Sequence, residues 1–126
     1  MTYKHILLVD DDTEDQEIFT TALEMVAENV QCTAFSNAKE ALNQLVAGTL
    51  NPDVIFLDLN MPVMSGQEFL VRIKKQERVC DIPVIIFSTS SNQNTIKLMR
   101  ELGAVDFVTK PSRFDKLVDL LKPIIN

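Results

Sequence analysis

Short apolar runs alternate with longer stretches of helical periodicity along this chain. The apolar runs cover residues 5–9, 30–35, 54–57, 84–87 and 104–108. Most are rich in β-branched and aromatic residues, which is typical of buried strands. Between them, apolar residues recur with a period of about 3.6, which indicates amphipathic helices. The pattern therefore predicts five strands, each followed by a helix.

Capping signals predict where these helices begin and end. The predicted caps, whose side chains accept from free backbone amides, are Thr13 in a capping box with Gln16, Ser36 or Asn37, Ser65 in a capping box with Glu68, Asn92 and Ser112. Helix-breaking residues predict three of the ends, at Gly48, Gly103 and Pro123. We expect Asp12 either to cap the first helix or to stay solvated.

Strict alternation of strands with helices predicts an α/β fold in which a parallel sheet is covered by helices on both faces. Five βα units are too few to close a TIM barrel, so we expect an open, doubly wound, five-stranded sheet. The second strand ends at Phe35 and Ser36 and offers no candidate site residue, as expected for an edge strand. This predicts the flavodoxin-like order 2-1-3-4-5, with ligands bound at the carboxyl ends of the strands.

Length and charge narrow the class of protein. The chain has 126 residues, of which 46% are hydrophobic, so we expect residues 1–126 to form a single domain with no output domain after Asn126. With 12 basic and 18 acidic residues, the net charge of -6 argues against a nucleic-acid partner. The acidic start differs from a secretory signal and no apolar run approaches a membrane span, so we expect a cytoplasmic protein without a membrane partner.

Polar side chains follow four of the predicted strands. Asp10 and Asp11 come after the first strand, Asp58 after the third, Ser88 after the fourth and Lys110 after the fifth. Because the carboxyl ends of parallel strands share one edge of the sheet, we expect these groups to meet. Clustered carboxylates suit a hard cation such as Mg²⁺, and an ammonium and a hydroxyl suit phosphoryl oxygens. The sequence therefore predicts a magnesium-assisted phosphoryl site.

Asp58 is the candidate nucleophile of this site. A carboxylate can attack phosphorus and form an acyl phosphate, and Asp58 stands alone at the middle strand. Asp10 and Asp11 are adjacent and better suited to hold the ion, directly or through water. The turn after Asp58 offers a backbone carbonyl, which we expect to be that of Asn60. The predicted metal set is therefore Asp10, Asp11, Asp58 and Asn60.

Four motifs in order carry a family resemblance: LLVDDD at residues 7–12, VIFLDLNMPVMSG at 54–66, PVIIFST at 83–89 and GAVDFVTKP at 103–111. With them the chain resembles, from end to end, the receiver domain of two-component response regulators, the CheY-like proteins. The resemblance implies a stand-alone receiver that is phosphorylated on Asp58 by a sensor histidine kinase or histidine phosphotransfer protein. It also implies Mg²⁺ as the cofactor, with Mn²⁺ as a substitute, and a conformational switch that regulates a partner protein.

The resemblance further implies roles for residues near the last two strands. It makes Ser88 a switch hydroxyl and Lys110 the lysine that contacts the phosphoryl group. Lys110–Pro111 resembles the family's usual cis peptide, but the sequence leaves its cis or trans state open. Phe107 lies where the family carries a switch aromatic, and the residues alone leave open whether it is a switch or plain core. Thr89 replaces a smaller residue, and we expect it to narrow access to the acceptor and to alter the lifetime of the phosphorylated state.

Rival functions lack their expected residues. Haloacid-dehalogenase-type phosphatases carry a DxDx[TV] pattern. In this chain, Asn60 stands where the second aspartate of that pattern is needed. The nucleotide motifs GxGxxG and GxxxxGK[ST] are missing, and a degenerate receiver would lack its acidic pair, aspartate or lysine. We therefore expect no enzyme beyond catalysis of its own phosphorylation and dephosphorylation.

The partners must be separate molecules. His5 is the only histidine, and it lies about 16 Å from Asp10 along the first strand, so the phosphoryl donor is external. We expect the first helix to meet that donor. The face formed by the fourth helix, fifth strand and fifth helix is expected to meet a downstream protein or a second copy in a homodimer.

Overall fold

The structure is a computed structural model that describes residues 3–90 and 92–126. These residues form five strands and five helices in alternation, which confirms the predicted α/β class. The elements are β1 (His5–Val9), α1 (Thr13–Val26), β2 (Gln31–Phe35), α2 (Ala38–Ala47), β3 (Val54–Leu57), α3 (Gly66–Lys74), β4 (Val84–Ser88), α4 (Gln93–Glu101), β5 (Asp106–Thr109) and α5 (Phe114–Ile125).

The strands pair in parallel in the order β2-β1-β3-β4-β5, as predicted. The registers align the carboxyl ends of the strands, because Val9 pairs with Phe35 on one side and with Leu57 on the other. The ladder continues one step further, where the Asp58 amide donates to the Val9 carbonyl at 2.9 Å. Asp10 and Asp58 therefore leave the sheet side by side.

The core lies in two layers, one on each face of the sheet. α1 and α5 cover one face around Phe19, Phe56 and Phe87, whose ring centroids lie 5.0–6.2 Å apart. α2, α3 and α4 cover the other face around side chains such as Phe69 and Ile86. The central strand β3 is fully buried, because both of its faces are covered. The site at the carboxyl edge thus rests on a rigid sheet.

Three of the predicted caps are confirmed, and at the first helix the expectation for Asp12 is confirmed whereas the one for Thr13 is wrong. Asn37 and Ser65 each accept from the amide three residues on, and Asn92 caps α4. α1 is capped by Asp12, whose side chain accepts from the amides of residues 14 and 15, and Thr13 is already helical. A carboxylate at the positive end of the helix dipole is the stronger acceptor, which explains why Asp12 takes this place.

The last helix differs from its prediction at both ends. It begins after Arg113, which makes no side-chain capping bond, so Ser112 is not the cap. It also continues past Pro123 to Ile125. A proline in the final turn removes only one backbone hydrogen bond, and the complete burial of Ile125 anchors that turn. Within residues 3–90 and 92–126, the helices are too short and too polar to cross a membrane.

Candidate functional site

Three carboxylates meet at the carboxyl edge of the sheet. Asp10 and Asp11 follow β1, Asp58 follows β3, and one oxygen of each lies within 4.8 Å of the others. Asp10 and Asp58 are only 1% and 7% exposed, whereas Asp11 is exposed. The structure therefore brings together the three acidic residues that the sequence predicted.

The Asp58 carboxylate is held by a backbone amide and faces a cation. Its Oδ1 accepts from the Leu59 amide at 2.9 Å, and its Oδ2 lies 3.9 Å from Lys110 Nζ. Burial raises the pKa of Asp58, Lys110 opposes that rise, and the nearby charge of Asp10 adds to it, so the pKa lies above its ordinary value. The positive charge of Lys110 therefore only partly offsets the cost of burying a charged Asp58 next to Asp10.

Lys110 is the cation of the site, and it is bound to two other carboxylates. Its Nζ donates to Asp10 Oδ2 at 2.7 Å and to Asp15 Oδ2 at 2.9 Å. Burial alone would lower the pKa of Lys110, but these two hydrogen bonds outweigh it and hold the pKa above its ordinary value. Nζ also lies 5.6 Å from the centre of the Phe87 ring. The ammonium is therefore fixed on the α1 side of the site.

Two residues of α1 that the sequence analysis did not select support this arrangement. Asp15 holds Lys110, and the Gln16 side-chain amide donates to the Asp10 carbonyl at 2.6 Å and to Ser36 Oγ at 3.0 Å. No local pattern marks Asp15, because its partner Lys110 lies 95 residues further along the chain. The helix that follows β1 therefore shapes the site as well as covering the sheet.

The predicted switch residues lie on β4 and β5. Ser88 is fully buried, its Oγ accepts from the Ser90 amide at 3.4 Å, and its carbonyl accepts from the Lys110 amide at 2.8 Å. Phe107 is half-buried against the layer of α2, α3 and α4. Thr89 is exposed. The roles of Phe107 and Thr89 stay predictions.

The Lys110–Pro111 peptide bond, whose cis or trans state the sequence left open, is trans. The trans form of a bond before proline is intrinsically favoured by about 0.5–1 kcal/mol, and the chain reaches α5 in that form. Lys110 keeps both its backbone bond to Ser88 and its two ion pairs in this conformation.

The donor set fits a divalent cation. Asp10, Asp11 and Asp58 offer three carboxylate oxygens, and Lys110 supplies one positive charge that it shares with Asp15. The site therefore carries excess negative charge, and the charge of Asp10 adds to the rise in the pKa of Asp58 that burial causes. Hard oxygen ligands are those that Mg²⁺ and Mn²⁺ accept. The metal contact of the Asn60 carbonyl stays a prediction.

We expect Asp58→Asn to raise the free energy of unfolding by about 1 kcal/mol at pH 7 in EDTA. The pKa of Asp58 is raised on folding, so its contribution to stability is present below the unfolded pKa and is lost as the pH rises through the folded pKa. Urea unfolding at several pH values measures this. The gain should shrink toward pH 4, and millimolar Mg²⁺ should cancel it.

Asp53→Asn is the matched control for that prediction. Asp53 Oδ2 accepts from the Lys4 and His5 amides, both at 2.9 Å, and these bonds lower the pKa of Asp53. Its contribution is present above the unfolded pKa, so asparagine should reduce stability at pH 7, with or without Mg²⁺. An equal response of the two variants would contradict the interpretation of Asp58.

Comparison with known proteins identifies the class that this fold and site define. The family model of the response regulator receiver domain matches residues 6–122. The chain belongs to the receiver domains of two-component response regulators, and it has the CheY-like fold and the signalling role of that family.

Individual relatives agree with this assignment. The phosphate regulon transcriptional regulatory protein PhoB of Pseudomonas aeruginosa is 34% identical over 125 residues, which are 99% of this chain and 53% of that protein. The chain thus spans about half the length of that curated relative.

Two solved structures are also similar. The crystal structure of the phosphorylated cyanobacterial phytochrome response regulator RcpA has a TM-score of 0.88 and 30% identity, covering 98% of this chain and 91% of that one. The Mn²⁺-bound form of response regulator Rcp1 has a TM-score of 0.83 and 26% identity, covering 96% of this chain and 91% of that one.

Proposed function

We propose that this receiver accepts a phosphoryl group on Asp58 from a partner's phosphohistidine, in a Mg²⁺-dependent reaction, and then changes conformation to regulate a partner protein. The observation that carries the proposal is the position of the Asp58 carboxylate. It is buried at the end of the middle strand, next to Asp10 and Asp11 and 3.9 Å from Lys110 Nζ. That arrangement suits transfer of a charged group to a carboxylate.

The metal ligands in this proposal are Asp10, Asp11, Asp58 and the main-chain oxygen of Asn60. Mg²⁺ is the ion proposed, with Mn²⁺ as a substitute, and the Mn²⁺-bound form of the related Rcp1 supports the second choice. When bound, the divalent ion neutralises carboxylate charge and polarises phosphoryl oxygens. Asp10 Oδ1 already accepts from the Asp12 amide at 3.0 Å, which orients this carboxylate before any ion binds.

In the proposed transfer step, Asp58 is the nucleophile. An oxygen of Asp58 attacks phosphorus and forms a new P–O bond, while the P–N bond breaks and its electron pair returns to the donor's imidazole ring. The product is an acyl phosphate. We propose that the Lys110 ammonium and the Ser88 hydroxyl then donate to the phosphoryl oxygens. The receiver catalyses only this transfer and the later hydrolysis of the acyl phosphate.

The phosphoryl donor in this proposal is a sensor histidine kinase or a histidine phosphotransfer protein. His5 is engaged with Thr33 at the far end of the sheet, where its Nε2 lies 3.0 Å from Thr33 Oγ1. Beside Lys110, a pocket between α1 and α5 is lined in part by Ile18 and Phe114, which are 46% and 40% exposed. These apolar side chains next to the acceptor support docking of the donor there. The cytoplasm is the proposed compartment, because the ATP that charges such kinases is there.

The output surface in this proposal is the face of α4, β5 and α5. Ser88 and Phe107 lie on the two strands that lead to it, so their movement toward a phosphoryl group would reach this face. Leu98 and Val105 there are 38% and 59% exposed. A downstream protein or a second copy of the chain is the proposed partner. The net charge of -6 supports neither a nucleic acid nor an anionic membrane.

Intact mass after incubation with acetyl phosphate and Mg²⁺ tests the function. One phosphoryl adduct is expected on the wild-type protein and on Asp53→Ala, the control at an exposed aspartate. Asp58→Ala and EDTA should each abolish it. An adduct that survives Asp58→Ala would overturn the site. Absence of an adduct with both acetyl phosphate and a phosphorylated kinase would instead favour a receiver that acts only as an interaction module.

A further inference from the structure

Lys110 is engaged away from the acceptor in this structure. An ammonium has three N–H donors, and here two of them serve Asp10 and Asp15, at 2.7 and 2.9 Å. The distance from Nζ to Asp58 Oδ2 is 3.9 Å, which is beyond a hydrogen bond. A phosphoryl group on Asp58 would therefore share the ammonium with these two carboxylates.

Asp15 opposes that movement from a fixed position. It lies in the first turn of α1, where its backbone amide donates to the capping carboxylate of Asp12 at 3.3 Å. Its own carboxylate faces Lys110, whose side chain is only 11% exposed. Asp10 also holds Lys110, but Asp10 is a predicted metal ligand, and Asp15 lies outside the group of carboxylates that can reach one ion. Asp15 is therefore the carboxylate that still bonds to Lys110 when a metal ion occupies the site.

We propose that Asp15 is a positioning residue that competes with the phosphoryl group on Asp58 for the ammonium of Lys110. This inference rests on the proposed function and deepens it, because it names the residue that sets how firmly the phosphorylated site engages its lysine. In a receiver without a carboxylate at this place, Lys110 would be free to turn fully toward the phosphoryl oxygens. Asp15 thus weakens the on-state relative to the off-state.

The matched control lies next to Asp15. Glu14 shares the first turn of α1 and carries the same charge, but it is exposed and Lys110 bonds to Asp15 instead. Glu14→Gln removes one negative charge near the site and leaves the ion pair intact. Asp15→Asn removes the same charge together with the ion pair. The difference between the two variants therefore isolates the competition for Lys110 from general electrostatics.

The test is a titration with beryllofluoride in saturating Mg²⁺, followed through backbone amide NMR signals of residues 88–110. We expect Asp15→Asn and Asp15→Ala to bind beryllofluoride about threefold to fivefold more tightly than the wild type, and Glu14→Gln to stay within about twofold. The side-chain ¹⁵N–¹H signal of Lys110 should move in the Asp15 variants before beryllofluoride is added, and not in Glu14→Gln.

The outcomes separate this inference from the proposed function. Equal affinities of Asp15→Asn and Glu14→Gln, or weaker binding by Asp15→Asn, would overturn the role of Asp15 while leaving Asp58 as the acceptor. A wild-type protein that binds no beryllofluoride and takes no phosphoryl group would overturn the proposed function, and the role of Asp15 with it.

Discussion

Phe56→Ala is expected to lower the free energy of unfolding by about 3–5 kcal/mol. Phe56 is fully buried on β3, and its ring centroid lies 5.0 Å from that of Phe19 and 6.2 Å from that of Phe87. The layer between the sheet and the α1–α5 pair cannot close over the cavity, because these three rings fill it together. Urea unfolding followed by circular dichroism measures the loss.

Phe114→Ala is the control for this substitution. Phe114 is 40% exposed at the start of α5, so truncation there removes less buried area than at Phe56 and should cost about half as much. A similar cost for the two variants would show that the Phe19–Phe56–Phe87 cluster is not the tightly packed centre that the ring distances indicate.

Gly66→Ala is expected to cost about 2–3 kcal/mol and to slow phosphorylation of Asp58. A methyl group at Gly66 would overlap the Asp58 carbonyl oxygen and would lie 2.8 Å from the Leu59 Cα. Both neighbours are backbone, so the segment that carries the acceptor would have to move. The Gly66 amide also donates to the Leu59 carbonyl at 3.0 Å, and that bond would be strained. Urea unfolding and the rate of adduct formation with acetyl phosphate measure the two effects.

Gln67→Ala serves as the neighbour control. Gln67 is exposed in the first turn of α3, so its stability and phosphorylation rate should match the wild type within about 0.5 kcal/mol and twofold. If Gly66→Ala loses stability but keeps the wild-type rate, then the close packing supports α3 alone and does not position Asp58.

Much of the fold could be predicted from periodicity because its strands are buried on both faces. The predicted ends of β1 and β3 coincide with the observed ones, since a continuous apolar run ends abruptly at a carboxylate in each case. The predicted β5, at residues 104–108, begins two residues before the observed strand, because apolar Ala104 and Val105 precede the paired segment Asp106–Thr109. α5 runs past Pro123 because the burial of Ile125 depends on tertiary packing that local helix rules do not include.

The site was predictable where strand ends alone determine position. Asp10, Asp11 and Asp58 meet because the registers of the sheet align the ends of β1 and β3. Asp15 was missed because its partner Lys110 lies 95 residues away, and local sequence gives no measure of that distance in space.

The ion pairs of Lys110 also affect when a newly synthesised chain completes this site. Asp10 and Asp15 lie 100 and 95 residues before Lys110, so a ribosome releases the acidic end of the site long before its lysine. Until β5 emerges and pairs with β4, the carboxylates stand without their cation. Under the proposed function, the acceptor site is therefore complete only after β5 has been translated.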